Sequence, residues 1–103
     1  MKIPEDPFVR ELLPEFVDTW LNDIDSQFNQ LIIDKNADDL YRFAHTIKGS
    51  CLQFGLDDIA ALGIQLMEFA KRADWEKAKG YDLSMKKLFL EVKDLIESGE
   101  IKI

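Results

Sequence analysis

The residues of this chain that could do chemistry lie close together around its single histidine, His45. Lys48 and Gly49 follow at spacings of three and four, and residues at those spacings are neighbours on one face of a helix. Apolar side chains recur through 40–54 at helical spacing, and at about 100° per residue His45 falls opposite the centre of that apolar stripe. The pattern predicts an exposed imidazole beside an ammonium group and beside a position without a side chain.

Gly49 is an unusual residue for the interior of a predicted helix. Glycine there destabilises a helix by about 0.5–1 kcal/mol relative to alanine, so its presence calls for a reason. We interpret Gly49 as a residue that leaves room for something large to approach His45 closely. The Lys48 ammonium would offset negative charge at the same place.

Other chemistries of a histidine are poorly supported by the neighbouring sequence. A metal site would need further ligands, but there is no second histidine, and Arg42 stands where a Glu-x-x-His motif needs its glutamate. No serine or cysteine is poised toward His45, since Cys51 falls on the apolar stripe. Gly49 and Gly55 lack the spacing of a phosphate-binding loop. An imidazole that accepts a phosphoryl group, with transfer arranged by another protein, remains one option among several.

The side chains that flank the predicted site allow two interpretations. They are Tyr41 and Arg42 one turn before the histidine, Leu52 after it, and Ile64 and Met67 on the following helix. The apolar members of this group either cover a short N-terminal helix or form a docking patch for a partner protein. The sequence leaves both interpretations open.

The apolar spacing along the whole chain predicts an all-α fold. We expect an irregular arm over 1–7, a short extra helix over 8–13, and a first long helix that begins at Pro14. Apolar stripes then predict long helices over 16–32, 40–54, 59–73 and 75–96. Four long helices with short connections pack most economically as an up-down-up-down four-helix bundle.

Capping residues mark the ends of these helices. Asn36 is expected to cap the second long helix, and Gly55 to end it, because glycine tolerates the left-handed backbone of a helix C-terminus. Asp74 is expected to cap the last segment, and Gly80 predicts a kink or a break within it.

Composition limits the classes of protein that fit. The 103 residues suit one domain, and 47% hydrophobic content is enough for one core. Thirteen basic and twenty acidic residues give a net charge of −7, which disfavours nucleic acid and anionic membranes as partners. One cysteine cannot form an intrachain disulfide, and no apolar run approaches the roughly 18 residues of a membrane span. We expect a cytoplasmic monomer.

The segment 45–55 reads His-Thr-Ile-Lys-Gly-Ser-Cys-Leu-Gln-Phe-Gly. It resembles the signature of histidine-containing phosphotransfer domains, His-x-Leu-Lys-Gly-small-small-x-x-hydrophobic-Gly. Phe43-Ala44 and Leu66-Met67-Glu68 also fit the usual run of that family, and the resemblance extends from about Leu13 to Glu97.

The resemblance implies a role in a multistep phosphorelay. Residues 1–103 would be a single phosphotransfer domain that accepts a phosphoryl group on His45 from a receiver-domain aspartate and passes it to another receiver. Lys48 would offset the phosphoryl charge, and Gly49 would admit the receiver. A hybrid sensor histidine kinase is a candidate partner. No cofactor is expected, because magnesium would belong to the receiver, and no nucleotide-binding motif is present, which favours a carrier over a kinase.

One departure from the family pattern and two rival functions accompany this interpretation. Some members carry a glutamine where this chain has Met67, while Gln65 falls on another face, so a direct partner for the His45 ring is not expected from that helix. The first rival is the phosphorylatable domain of a chemotaxis-type kinase. The second is a bundle that docks receivers without accepting phosphate.

Overall fold

The computed structural model describes residues 5–101, and every regular element in that range is a helix. The elements are α1 (Pro7–Asp23), a π-helical segment (Ile24–Phe28), α2 (Asn29–Ile33), α3 (Ala37–Gln53), α4 (Asp57–Lys71), α5 (Trp75–Ala78) and α6 (Tyr81–Glu97). The backbone stays in the right-handed helical region from α1 through the π segment into α2, so these three form one long helix. The described chain therefore has four long helices and the single turn α5, which confirms the predicted all-α fold.

The first long helix begins earlier than the sequence pattern predicted. The side chain of Asp6 accepts a hydrogen bond of 2.9 Å from the Phe8 N–H, and Pro7 occupies the first helical position. The carboxylate at the cap satisfies a backbone N–H that the helix leaves without a partner. Proline suits the first helical position because the N–H that it lacks would have no partner within the helix there. The predicted irregular arm over 1–7 is thus one residue too long, and its residues 1–4 lie outside the described chain.

Pro14 lies inside α1 and does not begin a new helix. The prediction of a separate short helix over 8–13 was therefore wrong. A proline in a helix interior removes one backbone hydrogen bond and crowds the carbonyl four residues earlier. Leu13 and Val17, on either side of it, are fully buried, and one continuous helix buries both in the same core.

The π-helical segment contributes two side chains to the core. Ile24 and Phe28, four residues apart, are both almost fully buried, so the wider i→i+5 turn leaves the apolar face of the helix on the core. Trp20 and Phe28 both contact the Phe43 ring of α3, with centroid distances of 5.7 and 6.0 Å. The π turn was not predicted from the sequence.

The ends of α3 agree with the predicted capping residues. The Asn36 side chain accepts a hydrogen bond of 3.1 Å from the Asp39 N–H. Gly55 has φ 72°, and its N–H and the next one bond back to the carbonyls of Leu52 and Cys51 at 3.1 and 2.8 Å. This pair of bonds is a Schellman motif, which satisfies carbonyls that the helix end leaves without partners.

The last predicted helix is divided in two at Gly80. The Asp74 side chain accepts from the Lys77 N–H and caps α5, as predicted. Gly80 then has φ 91°, a left-handed conformation that other residues rarely adopt, and α6 begins immediately after it. The predicted break at Gly80 is therefore confirmed, since α5 ends before this residue and α6 begins after it.

One apolar core joins the helices of the described chain, with buried side chains from every element except α2. On its surface, Lys93 of α6 pairs with Asp18 of α1 at 3.0 Å, and Lys86 pairs with Asp25 of the π segment. From the first ion pair to the second, the residue number rises from 18 to 25 on the first long helix and falls from 93 to 86 on α6, so these two helices run in opposite directions. No polar or charged residue of the described range is buried.

Candidate functional site

His45 is presented to solvent by the packing of its own helix. Ala44 and Ile47 are fully buried in the core, and these two positions fix the rotation of α3. His45 lies between them in sequence and on the opposite face, where its side chain is exposed. The exposure predicted from helical spacing is confirmed.

The imidazole has one aromatic ring contact within the described part of the protein. The His45 and Tyr41 rings stack, with centroids 6.3 Å apart and planes 28° from parallel. No hydrogen bond or ion pair joins either ring nitrogen to another residue of 5–101. The nitrogens are therefore accessible to a partner, as a nucleophile requires.

Lys48 brings positive charge to the same face. It is partly buried, and it has no carboxylate partner among the described residues. Arg42 differs, because its guanidinium lies 3.5 Å from the Asp39 carboxylate in an exposed pair. Of the two cations one turn from His45, Lys48 is thus the one whose charge is not already offset by a carboxylate of the described chain.

Gly49 is surrounded by open space. A Cβ added at this position would meet no heavy atom within 4 Å, so helix packing does not require a glycine. Side chains on a helix lean toward its N-terminus and cover the preceding turn. A side chain at position 49 would therefore lean over His45, and glycine keeps that approach open.

Gly63 of α4 was not singled out by the sequence analysis, and it is the packing glycine of this region. A Cβ on Gly63 would lie 3.1 Å from the Ala44 carbonyl oxygen and 3.2 Å from side-chain atoms of Ile47 and Lys48. α4 therefore approaches α3 closely directly beneath the site. The sequence did contain a signal for Gly63: glycine inside a helical pattern lowers helix stability, so its presence there suggests a role in packing or function.

The predicted flanking residues of α4 lie along one edge of α3. Gly63 lies against Lys48, and the Lys71 ammonium lies 5.7 Å from the Tyr41 ring centroid, so the two helices run in opposite directions. Met67 is midway between Gly63 and Lys71 on the same stripe, which places it at the level of the histidine. It packs partly against the core.

Two apolar residues near the site are half exposed. Leu52 has 51% and Ile64 has 50% of its surface open to solvent. The first interpretation expected the flanking residues to cover Phe8, Leu12 and Leu13; Phe8 and Leu12 are exposed, which contradicts it for these two, whereas Leu13 is fully buried. The exposed apolar surface near His45 remains available to a partner.

Two residues that might have joined the site face elsewhere. Cys51 is fully buried, and burial raises the pKa of its thiol to about 12, so it is not a nucleophile at neutral pH. Gln65 accepts a hydrogen bond of 2.7 Å from the Tyr81 hydroxyl of α6. Its orientation agrees with the prediction that it lies on another face from His45.

Comparison with known proteins assigns the family. The sequence model of the Hpt domain matches residues 11–98, so the chain belongs to the Hpt domain family. Hpt domains carry phosphoryl groups on histidine in two-component signalling, where they interact with receiver domains and act as phosphocarriers. No curated protein and no solved structure gave a significant match. Within residues 5–101, none of the helices has the length and apolar character to cross a bilayer.

Proposed function

We propose that this chain is the phosphohistidine carrier of a multistep phosphorelay, with His45 as its phosphorylated residue. The observation that supports this most directly is the setting of the imidazole. It is exposed, and its nitrogens have no partner in the described chain. It lies one turn from Lys48, which has no carboxylate partner within residues 5–101, and from the open space at Gly49.

The proposed chemistry is a pair of phosphoryl transfers. Nε2 of His45 attacks the phosphorus of a receiver's aspartyl phosphate in line, the bond from phosphorus to the aspartate oxygen breaks, and the carboxylate leaves. A second receiver's aspartate then attacks the same phosphorus, and the electron pair of the N–P bond returns to the ring. Lys48 offsets charge on the phosphoryl oxygens during both steps. Magnesium is bound by the receiver, and this chain supplies no cofactor.

The proposed docking surface surrounds the histidine on α3 and α4. Its members are Tyr41, Arg42, Leu52, Ile64 and Met67. A receiver that covers the half-exposed Leu52 and Ile64 would gain apolar burial and would exclude water from the transfer. Gly49 would admit the receiver's aspartyl loop to the ring.

The remaining features of the proposal concern the whole protein. We place it in the cytoplasm as a monomeric single domain with up-down-up-down helix order, with a hybrid sensor histidine kinase as a candidate source of the phosphoryl group. The opposite directions of α3 and α4, and of the first long helix and α6, support that order.

The proposal is tested by incubating the purified chain with magnesium and a panel of phosphorylated receiver domains. We expect label on the wild-type chain in an acid-labile, base-stable form, and no label on His45→Ala. Lys48→Ala should accept label more slowly. Labelling by an ATP-bound kinase domain alone would favour the chemotaxis-type rival, while receiver binding without labelling would favour the docking bundle.

A further inference from the structure

The Tyr41 ring stacks on the His45 imidazole, a contact within the protein itself that a role in docking a receiver does not require. The imidazole leans toward the N-terminus of α3, as helical side chains do, and this direction places it against the ring of Tyr41. The centroid distance of 6.3 Å and the angle of 28° are those of an offset stack. One face of the imidazole is therefore turned to a protein surface.

The ring of Tyr41 is itself held in place from other sides. Tyr41 is partly buried and packs against the apolar core. The ammonium of Lys71, on α4, lies 5.7 Å from the Tyr41 ring centroid, within the range of a cation–π contact. Lys71 also lies 3.7 Å from the Glu68 carboxylate, one turn back on its own helix. Residues of two helices thus fix the surface on which the imidazole rests.

We propose that Tyr41 is a positioning residue for His45, and that Lys71 acts through Tyr41. The inference rests on the proposed function. The stack restricts the rotation of the imidazole and closes its Tyr41 side, while the Gly49 side is open. The phosphoryl group therefore enters from the side of Lys48 and Gly49, onto a nitrogen whose direction is already set. Fewer orientations of the nucleophile mean a larger fraction that can attack in line.

A small phosphoryl donor separates positioning from docking. Phosphoramidate has no surface to dock: Nε2 of His45 attacks its phosphorus, the P–N bond breaks, and ammonia leaves. We expect Tyr41→Ala to lower the limiting rate about 3- to 10-fold both with phosphoramidate and with a phosphorylated receiver, in addition to any change in receiver KM that follows from the place of Tyr41 on the proposed docking surface. Tyr41→Phe keeps the ring and should restore the wild-type rate. The control Tyr81→Ala removes another partly buried tyrosine, which packs on Phe69 away from this stack.

Lys71 is tested with a matched cation–π pair elsewhere in the protein. Lys71→Met should slow both reactions about 2-fold, because the tyrosine ring loses one of its contacts. Lys77→Met should not, although Lys77 lies 5.9 Å from the ring centroid of Phe69 in a similar contact. If Lys71 acts through the ring, adding Lys71→Met to Tyr41→Ala should cause no further loss.

The stack also has a spectroscopic signature that needs no reaction. The ring current of Tyr41 should shift the His45 Hδ2 and Hε1 resonances, and the shift should disappear in Tyr41→Ala and persist in Tyr41→Phe. A wild-type rate for Tyr41→Ala with phosphoramidate, or an effect confined to the receiver KM, would overturn the positioning role. If wild-type His45 accepts phosphate from neither donor, the proposed function itself fails and the positioning role with it. If the positioning role alone fails, the wild-type chain is still phosphorylated. If the proposed function fails, it is not, so the two failures can be distinguished.

Discussion

At the scale of single residues, Gly49 and Gly63 differ in what surrounds them. Position 49 faces open space, so Gly49→Ala should stabilise α3 by about 0.5–1 kcal/mol through helix propensity. At position 63 a Cβ would lie 3.1 Å from a backbone oxygen, so Gly63→Ala should destabilise the protein by about 1 kcal/mol or more. Urea unfolding monitored by circular dichroism measures both changes.

Substitutions at Gly49 and Gly63 also distinguish a glycine needed for phosphoryl transfer from a glycine needed for helix packing. Gly49→Gln should fold normally and accept phosphate from a receiver more slowly, because its side chain would lean over His45. Loss of stability in Gly49→Ala would mean that position 49 is closed, contrary to the structure. A stabilised Gly63→Ala would mean that α3 and α4 separate easily.

The buried thiol of Cys51 should make the free energy of unfolding depend on pH in the alkaline range. Burial raises its pKa from 9.0 in the unfolded chain to about 12 in the folded protein. Its contribution is complete below the unfolded pKa and is lost as pH rises through the folded pKa, because the unfolded state releases the proton first. From about pH 9 to about pH 12 the free energy of unfolding should therefore fall more steeply for wild type than for Cys51→Ala.

Lys93 also contributes to the pH dependence of stability and serves as an internal reference. The hydrogen bond and the charge of Asp18 raise its pKa, so its stabilisation also declines as pH rises. Since Lys93 is present in both proteins, only the difference between the two slopes reports on Cys51. Equal slopes for wild type and Cys51→Ala, or rapid reaction of the folded protein with a thiol reagent, would show that the thiol is accessible.

At the scale of elements, Pro14 provides the test of the first helix. Because it lies inside α1, Pro14→Ala should restore a backbone hydrogen bond and stabilise the protein by about 1–2 kcal/mol. The midpoint of urea unfolding measures this change, with Pro7→Ala as the control, since Pro7 is at the first helical position. A less stable Pro14→Ala protein would indicate a break in the helix at residue 14.

The elements that the sequence predicted best are those with both a regular stripe and end signals. α3 has apolar positions at helical spacing, a capping Asn36 and a terminating Gly55, and all three agree with the structure. The first helix has competing signals, because Pro7 and Pro14 both suit a helix start. The burial of Leu13 and Val17 in one core favours the continuous helix from Pro7, and burial is a tertiary effect. The π turn was likewise not indicated by the local sequence.

The site shows a similar division between local and tertiary information. The exposure of His45 and its nearness to Lys48 and Gly49 follow from spacing on one helix. The role of Gly63 and the contact of Lys71 with Tyr41 depend on how α4 packs against α3, which one helix cannot specify. The function was indicated by the phosphotransfer signature, because the imidazole and its neighbours alone are compatible with several chemistries.

At the scale of the whole molecule, the site and the core are separate. His45 is exposed, and its ring contact within residues 5–101 is the stack with Tyr41, so His45→Ala should fold with unchanged helicity and a stability within about 0.5 kcal/mol of wild type. Circular dichroism and thermal unfolding measure this, with fully buried Ile47→Ala as the destabilised comparison. A His45→Ala protein that melts like Ile47→Ala would place the histidine in the core.

The most direct test of the central claim is whether the chain both accepts and gives up a phosphoryl group. The chain is phosphorylated by one receiver, purified, and mixed with a second, unphosphorylated receiver and magnesium. We predict that label leaves His45 and appears on the second receiver's aspartate without added ATP, and that His45→Ala carries none. Label that reaches His45 but passes to no receiver, or label on a residue other than His45, would contradict the account.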